Sequence, residues 1–189
     1  MASRPDFVFA RPTLPALLAA IAAMGAVVVL SNVLVQYPIN DWLTWGAFTY
    51  PAAFLVSDVV NLRFGPRTAR WVAWCGFVAA VALSVWVATP RIAAASCAAF
   101  ICSQLLDIAV FHRLRAGSWW RAPAVATLCS ATLDTAIFWS IAFAGSNLPW
   151  ISWATGDLAV KLAMGMVLLA PFRALLWKRR DWEFGIGDS

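Results

Sequence analysis

Arg91 to Arg115 reads RIAAASCAAFICSQLLDIAVFHRLR. About 20 residues of helix cross a hydrocarbon core of roughly 30 Å, and the apolar body of this stretch has that length before it closes on His112, Arg113 and Arg115. Ser103, Gln104 and Asp107 interrupt the apolar run within one turn of each other. A carboxylate in lipid is costly unless it faces protein, a ligand or water. The stretch therefore predicts a membrane-spanning helix with one polar face turned inward and a basic inner end.

Working outward, five more segments of similar character can be drawn, so the expectation is six spans: Thr13 to Val35, Trp42 to Leu62, Ala69 to Thr89, Arg91 to Phe111, Pro123 to Gly145 and Trp153 to Trp177. The whole chain of 189 residues is 62% hydrophobic and 12% charged, where a soluble domain carries charge at about 25% of positions. Little chain remains for anything else. Residues 1–189 read as one all-α, polytopic membrane domain, with no room for a soluble ATPase or receptor domain. The first span is too long and lacks a closing small-residue pattern for a cleaved signal peptide, so it is kept in the mature fold.

The net charge of +5 would suggest nucleic acid in a soluble chain. Its distribution points elsewhere. Twelve of the fourteen basic residues, among them Arg63, Arg67, Arg70, Arg113, Arg115, Arg121, Arg173 and Lys178, fall on one side of the six spans; Arg91 alone falls on the other. The positive-inside rule places that basic side, and both termini, in the cytoplasm of a bacterial inner membrane. The basic residues then act as anchors to anionic lipid headgroups, and no nucleic-acid partner is implied.

Local signals agree with this layout. Pro15 stands in the first turn of span one, where a missing N–H costs little. The external turn QYPIND, Gln36 to Asp41, offers Asp41 as a cap for span two, and Trp42 and Trp45 mark an interface. Pro51 predicts a bend in span two, either a packed kink or an opening of backbone groups to a ligand. Gly65-Pro66 should end that helix, and Pro171 should bend or loosen the inner part of span six. Thr89-Pro90 leaves almost no linker between spans three and four. Asp181 to Ser189 read as a polar tail. Cys75, Cys97, Cys102 and Cys129 form no CxxC, zinc or disulfide pattern and are expected to be small packing residues, with no metal and no cofactor implied. His112, the only histidine, reads as an interfacial residue rather than a proton relay.

The residues that carry chemistry are the charges inside the spans. Asp58 and Asn61 lie three apart on one face of span two, either as a polar site or as a cap or ion pair with Arg63 or Arg67. Gln104 and Asp107 can jointly recognise a planar ligand, since Gln has donor and acceptor and Asp accepts two bonds; helix–helix glue is the competing reading. Asp134, near the middle of span five with Thr127 and Ser130 on its stripe, is the strongest site candidate, and a structural salt bridge to Lys161 is its alternative. Asp157 and Lys161 sit four apart, as a local ion pair or as charge-coupling residues in which Lys161 alternates between Asp157 and Asp134. No P-loop, catalytic serine motif, HExxH or dinucleotide fingerprint occurs, which argues against an enzyme and for a transporter.

Three runs add a resemblance. YPAAFLVSDVVNLRFGPRTAR (Tyr50 to Arg70), SCAAFICSQLLDIAVFHRLR (Ser96 to Arg115) and SATLDTAIFWSIAFAG (Ser130 to Gly145) resemble, in order, recurrent blocks of the queuosine precursor transporter family, also grouped with vitamin uptake transporters. The resemblance implies six transmembrane helices related to the substrate-binding membrane components of energy-coupling-factor transporters. It also implies uptake of a 7-deazaguanine of the preQ0 or preQ1 type. Asp58, Asn61, Gln104, Asp107 and Asp134 fall within the matching blocks, and Tyr50, Phe54 and Phe138 are the aromatics expected to cover a bound ring. Where the family pattern commonly has an acid after the asparagine, this chain has Leu62. A membrane structural subunit, or a transporter of another vitamin or nucleobase-like solute, stays open beside this reading. The many tryptophans serve equally as lipid anchors or as a surface for homo-oligomers.

Overall fold

A computed structural model describes residues 9–34, 37–40, 43–87 and 89–184. Six elements dominate or link the fold: α1 (Leu14–Leu34), the short α2 (Gly46–Thr49), α3 (Ala52–Val87), α4 (Pro90–Leu114), α5 (Arg121–Phe143) and α6 (Trp150–Phe184). An antiparallel strand pair, β1 (Pro38–Asn40) and β2 (Leu43–Thr44), lies between α1 and α2. Asp41 and Trp42, the expected cap and interfacial residue, lie outside the described residues.

Span two is not one helix from Trp42 to Leu62. The strand pair and α2 occupy its start, the chain turns at Tyr50 and Pro51, and α3 begins at Ala52. Proline explains the division: Pro51 cannot donate to a preceding turn, so it suits the opening of a helix better than its interior. The carbonyls of Tyr50 and Pro51 already accept from Ala53 and Phe54.

Gly65 breaks α3 into two arms. Its φ of 82° and ψ of 172° lie outside helical space, a conformation that costs glycine little and other residues more. Pro66 then opens the second arm. Phe9 packs over the break so closely that a Cβ on Gly65 would stand 2.8 Å from its ring. The sequence signals at Gly65-Pro66 and at Thr89-Pro90 are met: Thr89 accepts from the Ile92 N–H at 3.5 Å as the cap of α4.

In lipid no hydrophobic force pulls helices together, so close packing of small residues and interhelical hydrogen bonds must do so. α1 leaves Leu14, Leu18 and Leu30 exposed and lays Met24 and Val28 against Ala69, Val72 and Ala73 of α3. Gly76 makes room there, since a Cβ would meet Met24 Cγ at 2.5 Å. α4 and α5 pack along stripes of Ala95, Ala99, Ser103 and Asp107 against Ala122, Ala126, Ser130 and Asp134. Arg91 fastens the far end of that pair, donating to the carbonyls of Ile141 at 2.7 Å and Ala144 at 2.6 Å. Of the cysteines expected to be packing residues, Cys75, Cys97 and Cys129 are half-buried, and Cys102 is exposed and does not pack.

Among the described residues four helical stretches are long and apolar enough to cross a membrane: Leu14–Ser31, Pro90–Leu114, Arg121–Phe143 and Trp150–Leu175. α6 is longer than expected. It continues through Pro171 and takes in Asp181 to Phe184, where a polar tail had been read; residues 185–189 lie outside the described residues. One end of the bundle gathers Phe9, the break in α3 and the end of α4, with the Arg115 guanidinium 4.6 Å from the Phe9 ring and His112 against it at 6.1 Å. Arg173 of α6 stacks 5.0 Å over Trp119 in the α4–α5 loop at the same end.

Candidate functional site

Two polar networks occupy the interior, stacked along the α4–α5 contact. The first joins α5, α6 and the turn before α3. Lys161 places its ammonium 2.8 Å from Asp134 Oδ2 and 2.5 Å from Asp157 Oδ2. The other Asp134 oxygen accepts from the Tyr50 hydroxyl at 2.8 Å and from Ser103 at 3.3 Å. Asp157 also accepts from Thr135 at 3.0 Å and Trp139 Nε1 at 3.4 Å. Both oxygens of Asp134 are thus engaged, and it is nearly buried. Helical spacing explains the convergence: Asp157 and Lys161 share a face one turn apart, and Tyr50 is aimed inward by the Pro51 turn.

Lys161 holds both acids at once rather than choosing between them. The salt bridge read as the alternative for Asp134 is what the structure contains. Asp134 consequently presents no open carboxylate oxygen to a ligand in this state.

The second network lies between α3 and α4, with α5 behind. Ser57 donates to Gln104 Oε1, Asn61 Nδ2 donates to the Ile108 carbonyl at 2.9 Å, and Ser130 donates to Asp107 Oδ1 at 3.1 Å. Asp58 and Asp107 face each other within hydrogen-bonding range. Asp58 is 2% exposed, and Asn61, Gln104 and Asp107 are fully buried. Asn61 Oδ1 and Gln104 Nε2 have no hydrogen-bond partner, while the carboxyls of Asp58 and Asp107 meet each other. A buried polar atom left unpaired costs about 1–3 kcal/mol. Asn61 Oδ1 and Gln104 Nε2 therefore stand out in this network as groups open to a partner from outside it.

Asp58 forms no ion pair with Arg63 or Arg67 among the described residues. Instead it lines a narrow cleft between α3, α5 and α6 together with Pro51, Leu55, Thr127, Gly165 and Phe172. Gly165 and Thr127 set the width of this gap, for a Cβ at Gly165 would stand 2.6 Å from Thr127 Cγ2. The sequence reading did not single out Gly165 or Phe172, since a glycine in an apolar helix and a phenylalanine in a span look like ordinary packing.

The aromatics divide. Phe54 is buried and meets Tyr50 edge-on with ring centroids 5.8 Å apart, between the two networks. Phe138 instead packs with Trp139 at 5.5 Å and Phe143 at 6.3 Å, in a cluster that Trp153 completes around Asp157. The structure therefore brings Asp58, Asn61, Gln104 and Asp107 together between α3 and α4, while Tyr50 bonds Asp134 and has Phe54 edge-on beside it. Phe138, Asp157 and Lys161 belong to the ion-paired end with Asp134. No group of three His, Cys, Asp or Glu side chains among the described residues could hold a metal ion.

Such an arrangement can recognise a polar molecule without breaking bonds in it. Asp107 offers an acceptor, and Gln104, one turn earlier on the same face, offers an unfilled N–H donor. A planar heterocycle with neighbouring N–H groups and a carbonyl on one edge is the complement of that pair.

Known proteins give the same direction. Residues 44–89 and 84–176 match the model of a family described as vitamin uptake transporters. The chain is 33% identical to the queuosine precursor transporter of Escherichia coli K12 in a match that covers 79% of this chain and 81% of that one. It is 33% identical, over 68% of its length and 66% of the relative's, to a protein of Haemophilus influenzae Rd named a probable queuosine precursor transporter. A Bacillus subtilis 168 protein of the same name is 27% identical over 67% of this chain and 68% of its own. No solved structure matches the chain.

Proposed function

The chain belongs to the vitamin uptake transporter family, and on that footing we propose that it carries a queuosine precursor, a 7-deazaguanine of the preQ0 or preQ1 type, across a bacterial inner membrane. In this reading the two arms of α3, the first prolonged by α2, join α1, α4, α5 and α6 as six crossings with both termini cytoplasmic. The basic inner ends and the gathering of Phe9, Arg115 and Arg173 at one end of the bundle support that orientation.

The observation that supports the reading is the buried polar set Asp58, Asn61, Gln104 and Asp107, in which Asn61 Oδ1 and Gln104 Nε2 have no partner. A deazaguanine presents adjacent N–H donors beside a carbonyl. Asp107 Oδ2 accepts from the donors, Gln104 Nε2 donates to the carbonyl, and Asn61 Oδ1 takes a further N–H. Failure to match would leave these groups unpaired in a dry site, which is the source of selectivity. Tyr50 and Phe54 supply aromatic surface above it. Asp134, Asp157 and Lys161 close the site from the external side as an ion-paired bolt, with Phe138 in the aromatic cover over it. Bonds in the cargo stay intact throughout.

Proteoliposomes containing only this protein, assayed with radiolabelled precursor and with and without a proton gradient, test the proposal. Saturable entry competed by unlabelled deazaguanine is expected. Absence of both binding and entry for any nucleobase-like compound would favour a structural membrane subunit instead.

A further inference from the structure

The end of the first α3 arm is held from outside its own helix. In a regular helix the Leu62 carbonyl would accept from the N–H four residues on, but position 66 is proline and has none. Gly65, at φ 82°, has already left the helical path. Arg115 of α4 takes over, donating to the carbonyls of Asn61 at 3.2 Å and Leu62 at 2.9 Å. A cation is favoured at a helix C-terminus, where carbonyl dipoles point outward. Phe9, which precedes α1, covers this joint. Its ring lies on Gly65, where a Cβ would come within 2.8 Å, with the Arg115 guanidinium 4.6 Å from the ring centroid and the His112 ring at 6.1 Å. Gly65 is one helical turn beyond Asn61, whose Oδ1 has no partner. Ile108, whose carbonyl takes Asn61 Nδ2, stands two turns before Arg115. One ring and one guanidinium therefore close the ends of α3 and α4 next to the polar centre. The opposite end is fastened by Lys161 on two acids, buried pairs whose rupture strands a charge. A guanidinium that leaves an aromatic ring at the headgroup level meets water instead.

Resting on the transport reading, we propose that Phe9 and Arg115 form the cytoplasmic gate of the polar centre, with Gly65 as its hinge. Glycine is the residue whose backbone is least restricted, so the first arm of α3 swings against the second once Arg115 releases the two carbonyls. The Phe9 ring then leaves Gly65, and the path between α3 and α4 opens to the cytoplasm. Neither residue touches the cargo. Both act by controlling access from one side of the membrane.

The test is the sidedness of access to Ser57, which lies deeper in the polar centre and donates to Gln104. Ser57→Cys, a one-atom change, is made in the full chain with its own four cysteines replaced by alanine. A membrane-impermeant thiol reagent is then added to everted vesicles or to spheroplasts. Phe9→Ala and Arg115→Gln are each expected to speed labelling from the cytoplasmic face by about 2- to 30-fold, the range of a lost cation–π contact. Labelling from the external face should not change. Arg115→Lys should fall between, because an ammonium lacks the planar fork that stacks on Phe9 while serving two carbonyls. Cytoplasmic labelling unchanged in both variants, or a rise of equal size from both faces, overturns the gate. If Arg115→Gln fails to fold, Phe9→Ala decides alone, since Phe9 precedes α1 and belongs to no helix. No cargo enters this measurement, so its failure leaves precursor transport standing, and transport itself fails only in the proteoliposome assay.

Discussion

Lys161 reaches across from α6 to hold Asp134 of α5 at 2.8 Å, while keeping Asp157 on its own helix at 2.5 Å. One cation therefore fastens two helices through two acids. Breaking a buried pair by removing one partner costs about 3–5 kcal/mol, because the other charge is left uncompensated. Lys161→Met should accordingly lower the thermal stability of the detergent-solubilised protein far more than a surface change would, and abolish uptake. Normal uptake at normal abundance in Lys161→Met would remove the bolt from the mechanism.

Asp134→Asn is a gentler cut. Lys161 keeps Asp157, while the Tyr50 hydroxyl and Ser103 keep an amide oxygen to bond, so the protein should still insert and remain folded. Uptake is expected to fall, since the α5–α6 fastening and the placement of Tyr50 above the site both depend on that carboxylate. Quantified membrane abundance beside initial uptake rate checks this; an unchanged rate excludes Asp134 from the transport path.

Asp107 and Gln104 were legible as a pair from spacing alone, because three residues on a helix is one turn and polar residues are scarce in an apolar span. The ion pair of Asp134 with Lys161 was legible for the same reason of scarcity. What spacing could not show was which acid stays open. That depends on the reach of Tyr50, Ser103 and Lys161 from three other segments, contacts separated by 84, 31 and 27 residues in the chain. The discontinuity at Pro51 was legible, but not what precedes it: only the pairing of β1 with β2 and the short α2 turn the start of span two into something other than a bent helix. Gly65-Pro66 carried a local signal strong enough to be read correctly.

If Asp107 and Gln104 read the ring edge, each should matter for affinity more than for folding. Gln104→Leu removes an unpartnered donor and its bond from Ser57, and Asp107→Asn turns half of an acceptor into a donor. Losing one hydrogen bond involving a charged group corresponds to about 1.5–3 kcal/mol, or roughly 10- to 100-fold in Kd. Isothermal titration with the precursor should show losses of that order for Asp107→Asn. A Kd within twofold of the unmodified protein would take Asp107 out of recognition.

The gap between α5 and α6 supplies a further handle, because Gly165 meets Thr127 more closely than any side chain would permit. A methyl at Gly165 must push α6 away from Thr127 Cγ2, 2.6 Å from where the new atom would stand, and overpacking of this kind costs about 1–3 kcal/mol. Gly165→Ala is therefore expected to lower the melting temperature and alter uptake by reshaping the cleft beside Asp58. Removing the obstructing methyl should relieve the strain, so Gly165→Ala combined with Thr127→Ser should recover most of the lost stability, a coupling that a double-mutant cycle measures directly. Additive losses in the double variant would show that the two residues do not set the spacing of these helices.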